Sequence, residues 1–282
     1  MLVPGFPLPQ FNSKPSRPDD EEPEREPTTA DGNKKLAEAH IAKGRVYHAI
    51  TRYKKAARMD GDPSHRTNLG DAYAYAELPL KAVEQYRRAL KSNPNHPEPH
   101  FSLAEIYTRY GKWHVAAAEY SRAVELAPTN AFYRYKLAHA YVQAGSLTEA
   151  IAQLEGAVTL RPGDAFYRFE LAALYAETRR DDEAICEMEQ AVALCPDDDY
   201  YTARLGMLYA RAGRLEQAAD MYREAVRLSP DKPAYHWLLA DMYYWLGFET
   251  RADYQYHEAA DIDPYEADFV HRARRFALGG SW

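Results

Sequence analysis

The sequence predicts an all-α solenoid of tandem helical pairs, and three observations carry that reading. A proline recurs every 34 residues, at Pro94, Pro128, Pro162, Pro196, Pro230 and Pro264. In the same phase run a leucine (Leu69, Leu103, Leu137, Leu171, Leu205, Leu239) and a tyrosine (Tyr73, Tyr107, Tyr141, Tyr175, Tyr209, Tyr243). Two alanine rows, Ala82, Ala116, Ala150, Ala184, Ala218, Ala252 and Ala89, Ala123, Ala157, Ala191, Ala225, Ala259, bracket a large residue at Tyr86, Tyr120, Leu154, Met188, Tyr222 and Tyr256. Self-similarity at a fixed period marks a repeat architecture, in which each unit buries its apolar face against its neighbours.

Residues 1–30 read as an extended tail. They hold Pro4, Pro7, Pro9, Pro15, Pro18, Pro23 and Pro27, with the acidic run Asp19-Asp20-Glu21-Glu22. Proline continues neither helices nor central strands, and like charges repel. Leu2, Val3, Phe6, Leu8 and Phe11 form an apolar string within it, either a frayed end or a linear motif that docks on a partner or on its own domain. Thirty flexible residues span roughly 30 Å, enough for self-docking.

The repeats occupy residues 31–266, in units at about 30–62, 63–96, 97–130, 131–164, 165–198, 199–232 and 233–266. Leucine, then Ala or Gly, then tyrosine at offsets 0, +1 and +4 make one stripe of a first helix. Alanine, a large residue four later and alanine three after that make the stripe of a second. Small residues let the backbones approach, and the large one fills the space between them. Gly44, Gly111, Gly145, Gly213 and Gly247 fall between the helices, where a left-handed turn residue is favoured, and the proline closes the second helix. Glu77 and Arg179 stand at that turn in two units. The first unit keeps Leu36, Gly44, Ala49, Tyr53 and Ala56 but lacks the closing proline and is 33 residues from the next, as suits a terminal repeat. After Pro264, Phe269, Ala273, Phe276 and Ala277 oppose Arg272, Arg274 and Arg275, which predicts a capping helix within 267–282.

The pattern resembles the tetratricopeptide repeat (TPR) family over about residues 30–266. The resemblance implies a right-handed superhelical solenoid of about seven helix-turn-helix repeats and a protein-binding role. One departure is the tryptophan frequent in that family's first helix, replaced here by His100, Arg134, Arg168, Thr202 and His236. The bulk moves one residue earlier, to Tyr133, Tyr167, Tyr201 and Tyr235.

Such proteins bind peptides or helices along a concave face lined by the first helices, at positions 2, 5, 9, 12 and 13 of each repeat. That mapping selects Phe101, Phe132, Tyr135, His139, Phe166, Phe169, Tyr200, Met207, Trp237 and Tyr244 as candidate groove residues. The aromatic ladder is either a recognition surface, since aromatic rings anchor interfaces, or packing between repeats. The Lys/Asn/Arg clamp with which some members hold a C-terminal carboxylate is incomplete: Lys34 and Glu38 take the first two positions and only Asn68 fits.

Composition narrows the function. Thirty-five basic against 42 acidic residues give a net charge of −7, which argues against a general nucleic-acid binder. With 46% hydrophobic residues the chain can bury a substantial core. Apolar stretches are broken by charges and the start lacks a basic n-region, so neither a membrane span nor a signal peptide is expected. Two cysteines exclude a disulfide scaffold, Cys186 and Cys195 read as small buried residues of one helix, and the expected location is cytoplasmic. No phosphate-cradling, dinucleotide or nucleophile-elbow motif occurs. His257-Glu258 begins like a metalloprotease helix, but Asp261 takes the place of the second histidine. The reading is a non-enzymatic scaffold or adaptor, without metal or cofactor, that binds a protein or peptide. The alternative is an accessory or regulatory subunit that delivers substrate to an enzyme or assembly machinery.

Overall fold

A computed structural model describes residues 27–263 of the chain. The predicted N-terminal tail up to residue 26 and the predicted capping helix lie outside the described residues. Among those described, every regular element is an α-helix, arranged as seven pairs. The first helices are α1 (Ala30–Ala42), α3 (Pro63–Tyr75), α5 (Pro97–Arg109), α7 (Ala131–Gln143), α9 (Ala165–Glu177), α11 (Asp199–Arg211) and α13 (Pro233–Trp245). The second helices are α2 (Val46–Met59), α4 (Pro79–Ser92), α6 (Trp113–Leu126), α8 (Leu147–Leu160), α10 (Asp181–Leu194), α12 (Leu215–Leu228) and α14 (Glu249–Ile262). Each helix packs on the next in chain order, which makes the stack a TPR solenoid.

Helix starts and stops follow local chemistry. Five first helices begin behind a side-chain cap: Thr29, Asp62, Asn130, Asp164 and Asp198 each accept a backbone N–H of the first turn. Each pair turns through one residue at positive φ, followed by a backbone bond back to the first helix, such as Lys112 N–H to the Tyr107 carbonyl at 2.9 Å. Glycine supplies that conformation in five repeats, while Glu77 (φ 58°) and Arg179 (φ 63°) adopt it with a side chain.

The core is the predicted small–large–small stripe. Ala82, Ala116, Ala150, Ala184 and Ala218 are fully enclosed, as are Ala89, Ala123, Ala157, Ala191, Ala225 and Ala259. Tyr86, Tyr120, Met188 and Tyr222 fill the spaces between them. Where the facing residue is Gly70, an added Cβ would lie 2.4 Å from the Tyr86 ring, so glycine there is a condition of close packing.

The position that carries tryptophan elsewhere among TPR proteins is here a polar clamp. Arg168 Nε donates to the Pro162 carbonyl at 3.0 Å, and its Nη1 meets Glu187 of α10 at 2.7 Å. Arg134 bridges the Pro128 carbonyl and Gln153 in the same way, and His236 bridges the Pro230 carbonyl and Gln255. His100 pairs with Glu119 at 2.7 Å and faces the Pro94 carbonyl. Each clamp ties the end of one repeat to both helices of the next and satisfies a carbonyl that the closing proline leaves free. The sixth repeat uses Thr202, whose hydroxyl bonds the Asp198 carbonyl instead.

The cysteine expectation needs one correction. Cys186 is exposed and Cys195 is half-buried. On α10 the core face passes through Ala184, Ile185 and Met188, so the helical turn carries residue 186 outward.

Candidate functional site

The face built from the first helices is organised by a recurring group of three rings. The position-5 ring of one repeat packs against the rings at positions 2 and 3 of the next. Phe101 stacks on Tyr133 (4.7 Å between centroids, 19°) and lies 5.7 Å from Phe132. Tyr135 meets Phe166 edge-on at 5.0 Å and Tyr167 at 6.0 Å. Phe169 stacks on Tyr201 (5.2 Å, 22°) and lies 5.6 Å from Tyr200. At the next junction the group gives way to Ala203 and Ala234, and Tyr235 instead bonds Asp199 through its hydroxyl at 2.7 Å.

This arrangement divides the ten predicted residues. Tyr135 and Trp237 are only 7% exposed. Tyr135 is enclosed by the next repeat, and Trp237 leans on Tyr256 at 4.8 Å. Phe101, Phe166 and Phe169 are half-buried in the three-ring groups. His139 is half-buried with its ring edge-on to Trp113 at 6.1 Å, and burial together with the nearby Lys136 charge holds its pKa below the ordinary histidine value. Phe132 (45%), Tyr200 (37%), Met207 (39%) and Tyr244 (47%) are exposed, and Trp245 beside Tyr244 is exposed as well. The position-2 rings Phe132 and Tyr200 thus present open surface, Phe166 at the same position is half-buried, and the position-5 rings serve as their backing.

Beneath the rings runs a set of polar pairs. The buried Tyr86 hydroxyl donates to Asp71 at 2.7 Å, Tyr120 donates to Glu105, and Tyr256 donates to Asp241 at 2.7 Å. Each pair joins position 9 to the second helix of the same repeat, and burial plus the adjacent carboxylate push the Tyr86 and Tyr120 hydroxyls far above their usual range. Position 6 of the following repeat reaches the same carboxylates: Ser102 donates to Asp71 at 3.2 Å, and Lys136 pairs with Glu105 at 2.9 Å. These partners were not selected from the sequence, although an acid and a tyrosine 15 residues apart were a visible sign of them.

Two charges on this face differ from the rest. Glu170 of α9 has no hydrogen bond or ion pair among the described residues, and burial raises its pKa. It lies close enough to Tyr135 to add to the burial that pushes that hydroxyl up to about 12. Arg204, one repeat later at the same position, has its guanidinium 6.0 Å from the Phe169 ring centre and no carboxylate partner among the described residues. Its Nε is buried without a hydrogen-bond partner, and Nη1 reaches only the Met207 sulfur at 3.9 Å.

No group of three His, Cys, Asp or Glu side chains that could hold a metal ion occurs among the described residues. No helix among them is long and apolar enough to cross a membrane.

Comparison with known proteins agrees with the fold. The family model of the cilia and flagella-associated protein 70 C-terminal domain, a TPR family, matches residues 22–274. No curated protein sequence matches significantly. Among solved structures, YrrB, described as a TPR protein with an unusual peptide-binding site, is similar with a TM-score of 0.57 and 20% identity, over 68% of this chain and 99% of that one. PilF of Pseudomonas aeruginosa is similar with a TM-score of 0.58 and 18% identity, over 75% and 97% of the two chains. A TPR protein of Parabacteroides merdae gives 0.56 and 18%, over 83% and 93%.

Proposed function

Because the chain belongs to the family of the cilia and flagella-associated protein 70 C-terminal domain, we propose that it is a non-catalytic protein-binding scaffold or adaptor. Its partner lies along the first-helix face from α5 to α13 as a peptide or helical segment. The observation that carries this reading is the exposure of the apolar groups Phe132, Tyr200, Met207, Tyr244 and Trp245, all on first helices of the stack. Rings held by a packed backing lose little conformational freedom on binding, so their burial converts efficiently into affinity. The half-buried Phe166 and Phe169 rings join the exposed ones into a strip, and His139 supplies a polar contact at its edge. The family's name suggests a partner that belongs to a ciliary or flagellar assembly.

The test is capture of partners from a lysate of ciliated cells by the full chain and by a Phe132→Ala, Phe166→Ala, Tyr200→Ala variant with an unchanged circular dichroism spectrum. A partner retained by the native chain and lost by the variant supports the reading. Identical partner sets would overturn it.

A further inference from the structure

Glu170 and Arg204 occupy the same position in adjacent first helices, α9 and α11, and neither has an oppositely charged partner among the described residues. The two do not pair with each other, and around them the equivalent polar groups are satisfied: Ser102 by Asp71, Lys136 by Glu105. Of the other charges on this stretch, Glu177 at the end of α9 is exposed to solvent, and the arginines are committed elsewhere. Arg134 and Arg168 serve the junction clamps, and Arg211 pairs with Asp181. Both groups are only partly open to water. Glu170 is half-buried near the Tyr135 and Tyr201 hydroxyls, and the Arg204 Nε is fully enclosed beside Phe169. Partly desolvated charges without a partner are costly, and an incoming group of opposite sign would recover that cost as charge-assisted hydrogen bonds.

We propose that the face across α7, α9 and α11 recognises an extended partner segment that carries a basic and an acidic side chain about three residues apart, the basic one on Glu170 and the acidic one on Arg204. The proposal rests on the first-helix face being the binding site and adds the chemistry of its ligand. α9 and α11 touch through side chains, with Phe169 stacked on Tyr201 and the Arg204 guanidinium 6.0 Å from the Phe169 ring; helices in contact lie roughly 8–10 Å apart and three residues of extended chain span about 10 Å, so one segment can reach both charges. Phe132 and Tyr200 flank the pair with exposed rings, which fits apolar or aromatic side chains around the two charges. Charge complementarity fixes the sign at each end, and the ring strip supplies contact area without sign.

The experiment is selection from a display library of random twelve-residue peptides on the full chain, followed by affinity measurement of the selected peptides. Four proteins are compared: the native chain, Glu170→Gln, Arg204→Gln, and the double variant Phe132→Ala, Tyr200→Ala, each confirmed folded. The expected result is enrichment of Lys or Arg three residues from Asp or Glu among apolar residues. Glu170→Gln and Arg204→Gln should each bind those peptides at least about tenfold more weakly, as for loss of one hydrogen bond between charged groups. Selected peptides without that charge pair, which bind the Gln variants normally yet are lost in the ring variant, would overturn the inference and leave the groove reading standing. Peptides indifferent to the ring variant, or no selected peptide at all, would overturn both.

Discussion

The ring of Phe169 lies nearly parallel to that of Tyr201, 5.2 Å away across the junction between the fifth and sixth repeats. The contact couples two repeats through the face that is also the candidate binding surface. Phe169→Ala should therefore destabilise the chain by about 2–3 kcal/mol, below the roughly 3–5 kcal/mol for a fully buried ring because Phe169 is half-buried. The Tyr201 hydroxyl has no hydrogen bond among the described residues, so Tyr201→Phe should shift stability by less than about 0.5 kcal/mol. Urea unfolding followed by circular dichroism measures both, and equal losses would show that the hydroxyl, rather than the stack, matters.

The junction clamps make a second prediction. Arg168 bonds a carbonyl and a carboxylate with two different nitrogens of one rigid group. Arg168→Ala should cost about 2–3 kcal/mol, because it leaves the half-buried Glu187 carboxylate without its partner. Lysine offers a single ammonium in place of the planar fork, so Arg168→Lys should recover only part of that loss in the same denaturation series.

The turn residues make a third. Glu77 and Arg179 hold a left-handed conformation that glycine adopts without steric cost. Glu77→Gly and Arg179→Gly should each leave the chain as stable or up to about 1 kcal/mol more stable, despite the added freedom of the unfolded state. A loss above about 1 kcal/mol in either variant would mean that its side chain makes a contact that outweighs the backbone strain.

The period, the helical pairs and the core were legible in the sequence because stacked repeats present the same environment every 34 residues, and Leu69, Ala82, Tyr86 and Ala89 recur as that environment requires. What the rings do was less legible. Whether a position-5 residue is open depends on positions 2 and 3 of the next repeat, so Tyr135 and Phe132 look alike in sequence and differ sixfold in exposure, 7% against 45%. The clamp at Arg134 and Arg168 read only as a missing tryptophan, since its partners are a backbone carbonyl and a side chain 19 residues away. Cys186 was placed inward by its residue type, while the turn of α10 carries it outward.

Glu170 predicts a pH dependence. Its folded pKa is raised by burial, so the unfolded chain releases the proton first as pH rises, and stability falls across the window from the ordinary glutamate pKa up to the folded value. Glu170→Gln removes that loss. The variant should be more stable than the native chain at neutral pH, and the difference should shrink toward zero below about pH 3.5, where both states are protonated. Urea midpoints of the two proteins at the two pH values check the sign, and a difference that grows on acidification would contradict it.

Partner binding along the first-helix face is tested by a photo-crosslinking benzoylphenylalanine placed at Tyr200, on that face, or at Val115, exposed on the second helix α6. With the partner bound, covalent attachment is expected from position 200 and none from position 115. Attachment from position 115 with none from 200 would put the partner on the second-helix side and rule out binding along the first helices.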